Sequence, residues 1–320
     1  MPVQAIVLQA FRQLFEQFLQ EEAQRPAPPL PVGPQQPQDL RLQRLAFGFN
    51  FYLKPRLVDL VQWVQRSKET TNFTYDLTAL NLGQLAGWVD AISGCGLVQA
   101  RHYIEELRAD QPLREHLNRL TLGAPDAVIA DLNMGYGRRL GWYALVRALR
   151  PALVVETGVD KGLGSCVLAA ALLRNREEGH QGRYLGTDIN PQAGWLFKER
   201  YQQVGEILYG DSIASLEQLS ESVDLFINDS DHSAEYEERE YACIEAKLAA
   251  GAVLLGDNAH VTTKLYDFAV ATGRRYLFFG EKPADHWYPG AGIGAAWNTS
   301  AKVVEKLVST PVGGSDLIVF

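Results

Sequence analysis

The sequence is poor in cysteine and has no long uninterrupted apolar segment. Its three cysteines, Cys95, Cys166 and Cys243, are far apart and include no CxxC pair, so neither a disulfide framework nor a zinc site is predicted. No apolar run reaches the ~18 residues needed to span a bilayer. The N-terminus also lacks a basic segment followed by an apolar block and a cleavage site. These absences predict a cytoplasmic protein that makes no membrane contact.

Basic residues are too few to favour nucleic acid as a partner. Thirty lysines and arginines stand against 38 aspartates and glutamates, which gives a formal net charge of −8. Binding to nucleic acid generally needs a basic surface, so we expect no nucleic-acid partner. Hydrophobic residues make up 47% of the 320 residues, which is enough to form a sizeable core.

The first 123 residues are predicted to be helical. Apolar side chains recur at helical spacing in the N-terminal segment, which indicates an amphipathic helix over residues 1–24. A proline-rich linker follows over residues 25–40, and residues 41–123 form a helical cap or oligomerisation region. The apolar stripe of the first helix could pack on the main domain or on a second subunit. We predict a homo-oligomer formed through the N-terminal helices.

Residues 124–320 alternate between apolar runs of strand length and helical stretches. This alternation is typical of an α/β, doubly wound, Rossmann-like sheet. Six strands are predicted at Leu153–Thr157, Tyr184–Thr187, Glu206–Tyr209, Leu225–Asn228, Ala252–Leu255 and Tyr276–Phe279. Two further segments, Gly292–Trp297 and Asp316–Phe320, could add strands at an edge of the sheet, and these strands could run antiparallel to their neighbours.

A glycine-rich loop follows the first of these strands. The segment VVETGVDKGLGS places Gly158, Gly162 and Gly164 between a buried strand and an apolar helix, where glycine lets the backbone pass close to a ligand. The spacing is not the GxGxxG of dinucleotide-binding folds, which argues against an NAD-dependent dehydrogenase. The looser loop suits a ligand without phosphates, although a generic strand–helix turn has the same local appearance.

Acidic residues follow the next two strands. Asp188 comes at the end of the second strand, where a carboxylate can accept hydrogen bonds from ribose hydroxyls. Asp211 and Ser212 end the third strand. Each aspartate could instead cap the helix that follows it. The glycine loop and the two acids therefore follow three successive predicted strands.

A second polar cluster is predicted at the ends of the fourth and fifth strands. Asp229 and His232 follow one strand, and Asp257 and Asn258 follow the next. Neighbouring parallel strands lie ~4.8 Å apart, so these oxygens could converge on a hard divalent cation such as Mg²⁺. Two simpler interpretations stay open, a helix cap at the second pair and a surface position for the histidine. Asp231 is an alternative first ligand.

The glycine loop resembles motif I of class I S-adenosylmethionine-dependent methyltransferases. The resemblance implies a seven-stranded methyltransferase sheet over residues 124–320, with S-adenosylmethionine as cofactor. It also implies a set of cofactor-binding residues at the carboxyl ends of the first four strands: Glu156, Thr157, Gly158, Gly162, Gly164, Ser165, Asp188, Asp211, Ser212 and Asp229. Tyr136 and Arg138, just before the motif, could close over the cofactor.

The polar cluster is similar to the metal site of catechol-type and macrocin or mycinamicin sugar O-methyltransferases. This resemblance, over roughly residues 126–297, implies Mg²⁺ held by Asp229, Asp257 and Asn258, with His232 as the general base and Asp229 beside it in the catalytic site. The expected reaction is methyl transfer to a hydroxyl of a small molecule, such as a natural-product or sugar intermediate. A metal-independent methyltransferase and a non-catalytic cofactor-binding scaffold remain as alternatives.

Overall fold

The computed structural model describes residues 3–25, 38–125, 127–257 and 259–298. Most of the predicted proline-rich linker, the predicted metal ligand Asn258 and the predicted strand Asp316–Phe320 lie outside the described residues. The first helix is found where it was predicted.

The described chain begins with a helical region. Its helices are α1 (Val3–Gln24), α2 (Gln38–Gly48), α3 (Lys54–Arg66), α4 (Ala79–Ser93), α5 (Leu97–Arg108) and α6 (Gln111–Leu122). A π-helical turn, Phe49–Leu53, joins α2 to α3. Local signals explain the boundaries, since Thr78 caps α4 by accepting from the backbone N–H of Asn81 and Gly94 ends it in the left-handed conformation.

Strands and helices then alternate as predicted. The strands are β1 (Leu153–Thr157), β2 (Arg183–Asp188), β3 (Gly205–Tyr209), β4 (Val223–Asn228), β5 (Leu248–Asp257), β6 (Arg275–Gly280) and β7 (Gly292–Trp297). The intervening helices are α7 (Arg139–Leu149), α8 (Leu163–Glu177), α9 (Ser212–Gln218), α10 (Ala234–Glu245) and α11 (Lys264–Ala271), with a short 3₁₀ turn at Glu199–Val204.

The seven strands form one sheet in the order β3-β2-β1-β4-β5-β7-β6. Strands β1 to β5 are parallel, whereas β7 is antiparallel to both of its neighbours. The predicted α/β, doubly wound sheet with an N-terminal helical extension is confirmed. The prediction that Gly292–Trp297 lies at an edge is wrong, because β7 is inserted between β5 and β6. Its residues are buried along its whole length, as an interior strand requires.

Helices cover both faces of the sheet. On one face Tyr241 of α10 and Phe268 of α11 belong to a cluster with Phe226 of β4. On the other face α7 and α8 pack together with α4, α5 and α6, so that Leu85 and Trp142 lie in a single core with Val154 of β1. The helices of residues 79–122 therefore share their core with the sheet.

The N-terminal helices leave many apolar side chains uncovered. In α1, Phe15, Phe18 and Leu19 are 44%, 52% and 51% exposed. In the turn after α2, Phe51 is 73% exposed. Within this chain the apolar stripe of α1 is thus not buried against the sheet domain. Among the described helices, none is both long and apolar enough to cross a membrane.

Candidate functional site

The loop after β1 lies against two neighbouring strand ends. Gly158 has a φ of +84°, its N–H donates to the carbonyl of Thr187 at 2.9 Å, and a Cβ there would lie 2.0 Å from the carbonyl oxygen of Asp229. Only glycine fits this position. The close approach brings the carboxyl ends of β1, β2 and β4 together at one edge of the sheet.

Asp188 fixes the shape of this glycine loop. Its Oδ2 accepts hydrogen bonds from the backbone N–H groups of Val159 and Asp160 at 3.0 and 2.9 Å. Its Oδ1 accepts from Asn190 N–H at 2.8 Å. The carboxylate therefore holds the loop, and Asp188 also lines the cavity that the loop borders.

A cavity of about 460 Å³ opens at this edge of the sheet. This volume is in the usual range for a small-molecule site. Five of the predicted cofactor-binding residues line it, namely Gly158, Asp188, Asp211, Ser212 and Asp229. Among the other lining residues, the sequence did not point to Thr187, Ile189, Asn190 or Tyr236. Thr187 is buried, and its hydroxyl has no hydrogen-bond partner among the described residues, so it is available to a ligand in the cavity.

The cavity lining is strongly acidic. Five aspartates contribute to it, Asp160, Asp188, Asp211, Asp229 and Asp231, and in the described part of the chain no lysine or arginine does. Hydrogen bonds from the backbone of Ala214 and the hydroxyl of Tyr236 hold the pKa of Asp211 below its ordinary value. Such a lining repels phosphates and favours a ligand that carries positive charge.

Other predicted cofactor-binding residues lie behind the loop. Glu156 is buried and accepts hydrogen bonds from Ser165 Oγ, at 3.0 Å, and from Tyr184. Burial raises the pKa of Glu156 to about 7. Gly164 packs directly against this carboxylate, and Gly162 begins α8 in the left-handed conformation. In this structure these residues support the loop from the core side.

Glu240 of α10 joins the loops around the cavity. Its buried carboxylate accepts hydrogen bonds from four donors that lie on β1, β4, the loop after β4 and the start of α9: Thr157, Asn228, Ser230 and Ser212. Burial raises the pKa of Glu240. The acidic run 235–240 could be read from the sequence as an exposed helix face. This was wrong, because Glu237 and Glu240 both point inward and are 2% and 0% exposed.

His232 lies between two carboxylates beside the cavity. Its Nε2 is 3.7 Å from Asp229 Oδ1, and its Nδ1 is 3.8 Å from Glu237 Oε1. The nearby Glu237 raises the pKa of His232 above its ordinary value. Glu237 is itself held by a hydrogen bond from Thr262. An imidazole with an acid on each side has the arrangement of an oriented general base.

The two predicted metal-binding aspartates meet at the ends of β4 and β5. Asp229 and Asp257 share a hydrogen bond, and burial together with the neighbouring Asp257 raises the pKa of Asp229 well above its ordinary range. Arg138 lies on the other side of the pair. Its Nε and Nη2 donate to the two carboxylate oxygens of Asp257, which holds the pKa of Asp257 below its ordinary value despite its burial.

The described residues do not fit a divalent cation in this arrangement. Mg²⁺ needs carboxylate oxygens with lone pairs directed at the ion, whereas both oxygens of Asp257 accept hydrogen bonds from Arg138. No group of three or more histidine, cysteine, aspartate or glutamate side chains in the described ranges is arranged to hold a metal. The third predicted ligand, Asn258, is outside those ranges.

Further groups reach Arg138 from the β6–β7 loop and from the segment before α4. Glu281 Oε1 accepts from Arg138 Nη1 at 3.2 Å, and Tyr75 OH accepts from the same nitrogen at 2.8 Å. His286 lies 7% exposed against the rings of Trp63 and Tyr75, and burial lowers its pKa to about 4. Tyr136, the other residue predicted to close over the cofactor, is buried in the core.

Comparison with known families agrees with this geometry. Residues 155–259 match a family model described as a methyltransferase domain. This chain contains a methyltransferase domain. The match begins in β1 and ends just after β5, so it spans the glycine loop, the acidic cavity and the Asp229–Asp257 pair. The predicted membership of the class I methyltransferases, and the prediction that the chain is an enzyme of this kind, are confirmed at the level of this domain.

Solved structures similar to the methyltransferase domain share little sequence with it. Cofactor-bound Rv0187 from MTB is 16% identical, with a TM-score of 0.46 over 59% of this chain and 90% of its own. An O-methyltransferase from Bacillus cereus in complex with SAH is 15% identical, with a TM-score of 0.45 over 66% and 100%. TomG from Streptomyces achromogenes is 16% identical, with a TM-score of 0.42 over 60% and 91%. Among curated proteins, none matches the sequence.

Proposed function

We propose that the methyltransferase domain binds S-adenosylmethionine and transfers its methyl group to a hydroxyl oxygen of a small molecule. The observation that carries this proposal is the acidic cavity beside the glycine loop. S-adenosylmethionine has a positively charged sulfonium and no phosphate, so this lining suits it and disfavours nucleotides that carry phosphates.

Different residues of the cavity would contact different parts of the cofactor. Asp188 has the position and the lone pairs to accept from ribose hydroxyls. The hydroxyl of Thr187, which has no hydrogen-bond partner among the described residues, offers a further polar contact. Asp211 and Tyr236, which are hydrogen-bonded at 3.0 Å, also border the cavity. Gly158 lets the cofactor approach the backbone. Glu240 holds these loops in position by accepting hydrogen bonds from Thr157 and Ser212.

His232 is the proposed general base. The bound cofactor supplies an already activated methyl group, so the chain's task is to position the acceptor and remove its proton. As the oxygen–methyl bond forms and the sulfur–methyl bond breaks, the hydroxyl proton passes to the ring of His232. Glu237 orients the imidazole and stabilises its protonated form. Because the Asp229–Asp257 pair does not fit a metal, the proposal contains no metal-dependent step.

Calorimetric titration with S-adenosylmethionine tests the cofactor assignment. Asp188→Asn should weaken binding about 10- to 100-fold, because hydrogen bonds to a charged group contribute ~1.5–3 kcal/mol. Asp267→Asn is the matched control, since this residue lies in the first turn of α11 and bonds to Thr263. A wild-type protein that fails to bind the cofactor, or binds NAD equally well, would contradict the proposal.

Turnover separates an enzyme from a cofactor-binding scaffold. Incubation with S-adenosylmethionine and a library of phenols, sugars and other hydroxyl compounds should yield methylated products detectable by mass spectrometry. His232→Ala should lower turnover by roughly 10²- to 10⁴-fold, the usual contribution of a general base, and leave cofactor binding intact. Binding without any turnover across the library would favour the scaffold.

We also propose that the protein forms a homo-oligomer through its N-terminal helices. The apolar side chains of α1 and of the turn after α2 are exposed in the single chain, and exposed apolar patches of this kind mark interaction surfaces. A second copy of the chain would offer the same apolar surface, as an isologous interface requires.

A further inference from the structure

The acid pair at the ends of β4 and β5 is already occupied by a cation of the chain itself. Arg138 is 7% exposed and Asp257 is 0% exposed. Nε and Nη2 of the guanidinium donate in parallel to the two oxygens of Asp257. This two-fold pairing is the strongest geometry that arginine and a carboxylate can form.

The rest of the guanidinium is held as firmly. Nη1 donates to Tyr75 OH at 2.8 Å and to Glu281 Oε1 at 3.2 Å. Tyr75 in turn donates to Glu281 Oε2 at 2.9 Å. Tyr75 and Glu281 are 5% and 6% exposed, so the partners of Arg138 come from both the helical region and the β6–β7 loop.

A metal ion could reach Asp257 only by displacing this guanidinium. Displacement would leave Arg138 and Glu281 buried without their charge partners. Breaking a buried pair in this way strongly destabilises a protein. The resident cation is covalently part of the chain and is therefore present at every metal concentration.

We propose that the guanidinium of Arg138 takes the place of a divalent cation at the Asp229–Asp257 pair, and that methyl transfer by this protein does not depend on added metal. Arg138 acts here as a positioning residue. It fixes Asp257, and Asp257 through its hydrogen bond fixes Asp229, whose carboxyl lies beside His232 and borders the cofactor cavity. The statement about turnover rests on the proposed function, whereas the statement about metal binding does not.

Binding of Mn²⁺, followed by electron paramagnetic resonance on the full-length protein, tests the inference without any acceptor. Wild-type protein should bind no Mn²⁺ at this pair at millimolar concentrations. Arg138→Met keeps an unbranched apolar side chain but removes the charge, and should gain Mn²⁺ binding. Adding Asp257→Asn to that variant should abolish the gain. Circular dichroism and thermal melting establish that each variant is folded, and Arg138→Lys, which keeps the charge, should behave as the wild type.

Several results would overturn the inference. One is stoichiometric Mn²⁺ binding by the wild type that disappears in Asp257→Asn. Another is a folded Arg138→Met variant that still binds no Mn²⁺. For turnover, activity in excess chelator should stay within about twofold of the untreated enzyme, a change of under ~0.5 kcal/mol in the barrier, and its loss would contradict metal independence. If cofactor binding itself fails, the proposed function falls, but the Mn²⁺ result still decides the role of Arg138.

Discussion

The side-chain amide of Asn228 donates a hydrogen bond to the carboxylate of Glu240, and so links the end of β4 to α10 beneath the cofactor cavity. The same carboxylate accepts from Thr157 and Ser212 on two other elements. A carboxylate suits this position because it offers only acceptors to a set of neighbours that offer donors. Its integrity should therefore control the shape of the cavity.

Replacing Glu240 by glutamine should weaken cofactor binding. The amide presents N–H groups to donors, so at least one hydrogen bond is lost and a buried donor is left unpaired, at a cost of about 1–3 kcal/mol. We expect a roughly 10-fold rise in the dissociation constant for S-adenosylhomocysteine, measured by calorimetry, and a lower melting temperature. Glu238→Gln is the control, because Glu238 is exposed and pairs with Lys264 at 2.9 Å. Equal affinity in both variants would show that Glu240 does not shape the site.

The pH dependence of turnover should report the pairing of His232 with Glu237. Glu237 raises the pKa of His232, and the base acts only in its neutral form. The rate should therefore increase with pH until the pH exceeds this raised pKa. Glu237→Gln should lower the pKa of His232, so the acidic limb of the pH profile of kcat/KM should move to lower pH. The maximum should fall on the order of 10-fold, because the imidazole is no longer oriented by Glu237.

The control for this shift is Glu235→Gln, at an exposed position in the first turn of α10. It should leave the pH profile of the wild type unchanged. An acidic limb that stays in place in Glu237→Gln would mean that a group other than His232 governs the profile.

Glu156 should make the stability of the fold depend on pH. Burial raises its pKa from 4.5 to about 7, so the folded chain holds the proton more tightly than the unfolded chain. The free energy of unfolding therefore falls as the pH rises from the unfolded value through the folded one. Glu156→Gln lacks this loss, and relative to the wild type it should gain on the order of 3 kcal/mol between pH ~4 and ~8. Denaturant titration at the two pH values measures the difference.

The control for the stability measurement is Glu177→Gln, whose carboxylate is 56% exposed near the end of α8. Its stability should follow the wild type at both pH values. A Glu156→Gln variant with the pH dependence of the wild type would show that this carboxyl titrates alike in the folded and unfolded chains.

Charged substitutions on the apolar surface of α1 should dissociate the proposed oligomer. Phe15 and Phe18 lie on it, 44% and 52% exposed, and covering each one would contribute about 1.5–3 kcal/mol. The double substitution Phe15→Glu and Phe18→Glu should reduce the molar mass, measured by light scattering after gel filtration, to that of one chain. Gln17→Glu, at an exposed polar position of the same helix, should not. A wild type that already runs as a monomer would refute the oligomer.

The sheet could be predicted well because its strands are buried apolar runs separated by helices. The predicted and observed starts of β1 to β4 differ by at most two residues, and β1 matches at both ends. The position of β7 could not be predicted in this way, since strand order depends on pairing between distant segments. The small residues of the GIGAAW segment fit an interior strand as well as an edge one, and only packing decides between them.

The site was predicted unevenly for a similar reason. Asp188 and Asp211 stand at strand ends, where position along the chain alone indicates contact with a ligand. Glu240 occupies one turn of a helix full of acidic residues, and nothing in its spacing tells an inward carboxylate from a solvated one. Arg138 was noticed only as a candidate to close over the cofactor. Its pairing with Asp257, 119 positions away, is a tertiary contact without a local signal.

The partners of Arg138 also bear on when the site can form as the chain folds. Tyr75, Asp257 and Glu281 lie 63, 119 and 143 positions from it. Backbone hydrogen bonds from Thr78 to Lys282 and from Ala284 to Asp76 join the same two distant segments. Contacts between such remote segments form slowly, because a long loop must be closed before they contribute. The network around Arg138 can therefore form only after both the helical region and the β6–β7 hairpin have packed onto the sheet. We expect the site to be completed late in folding.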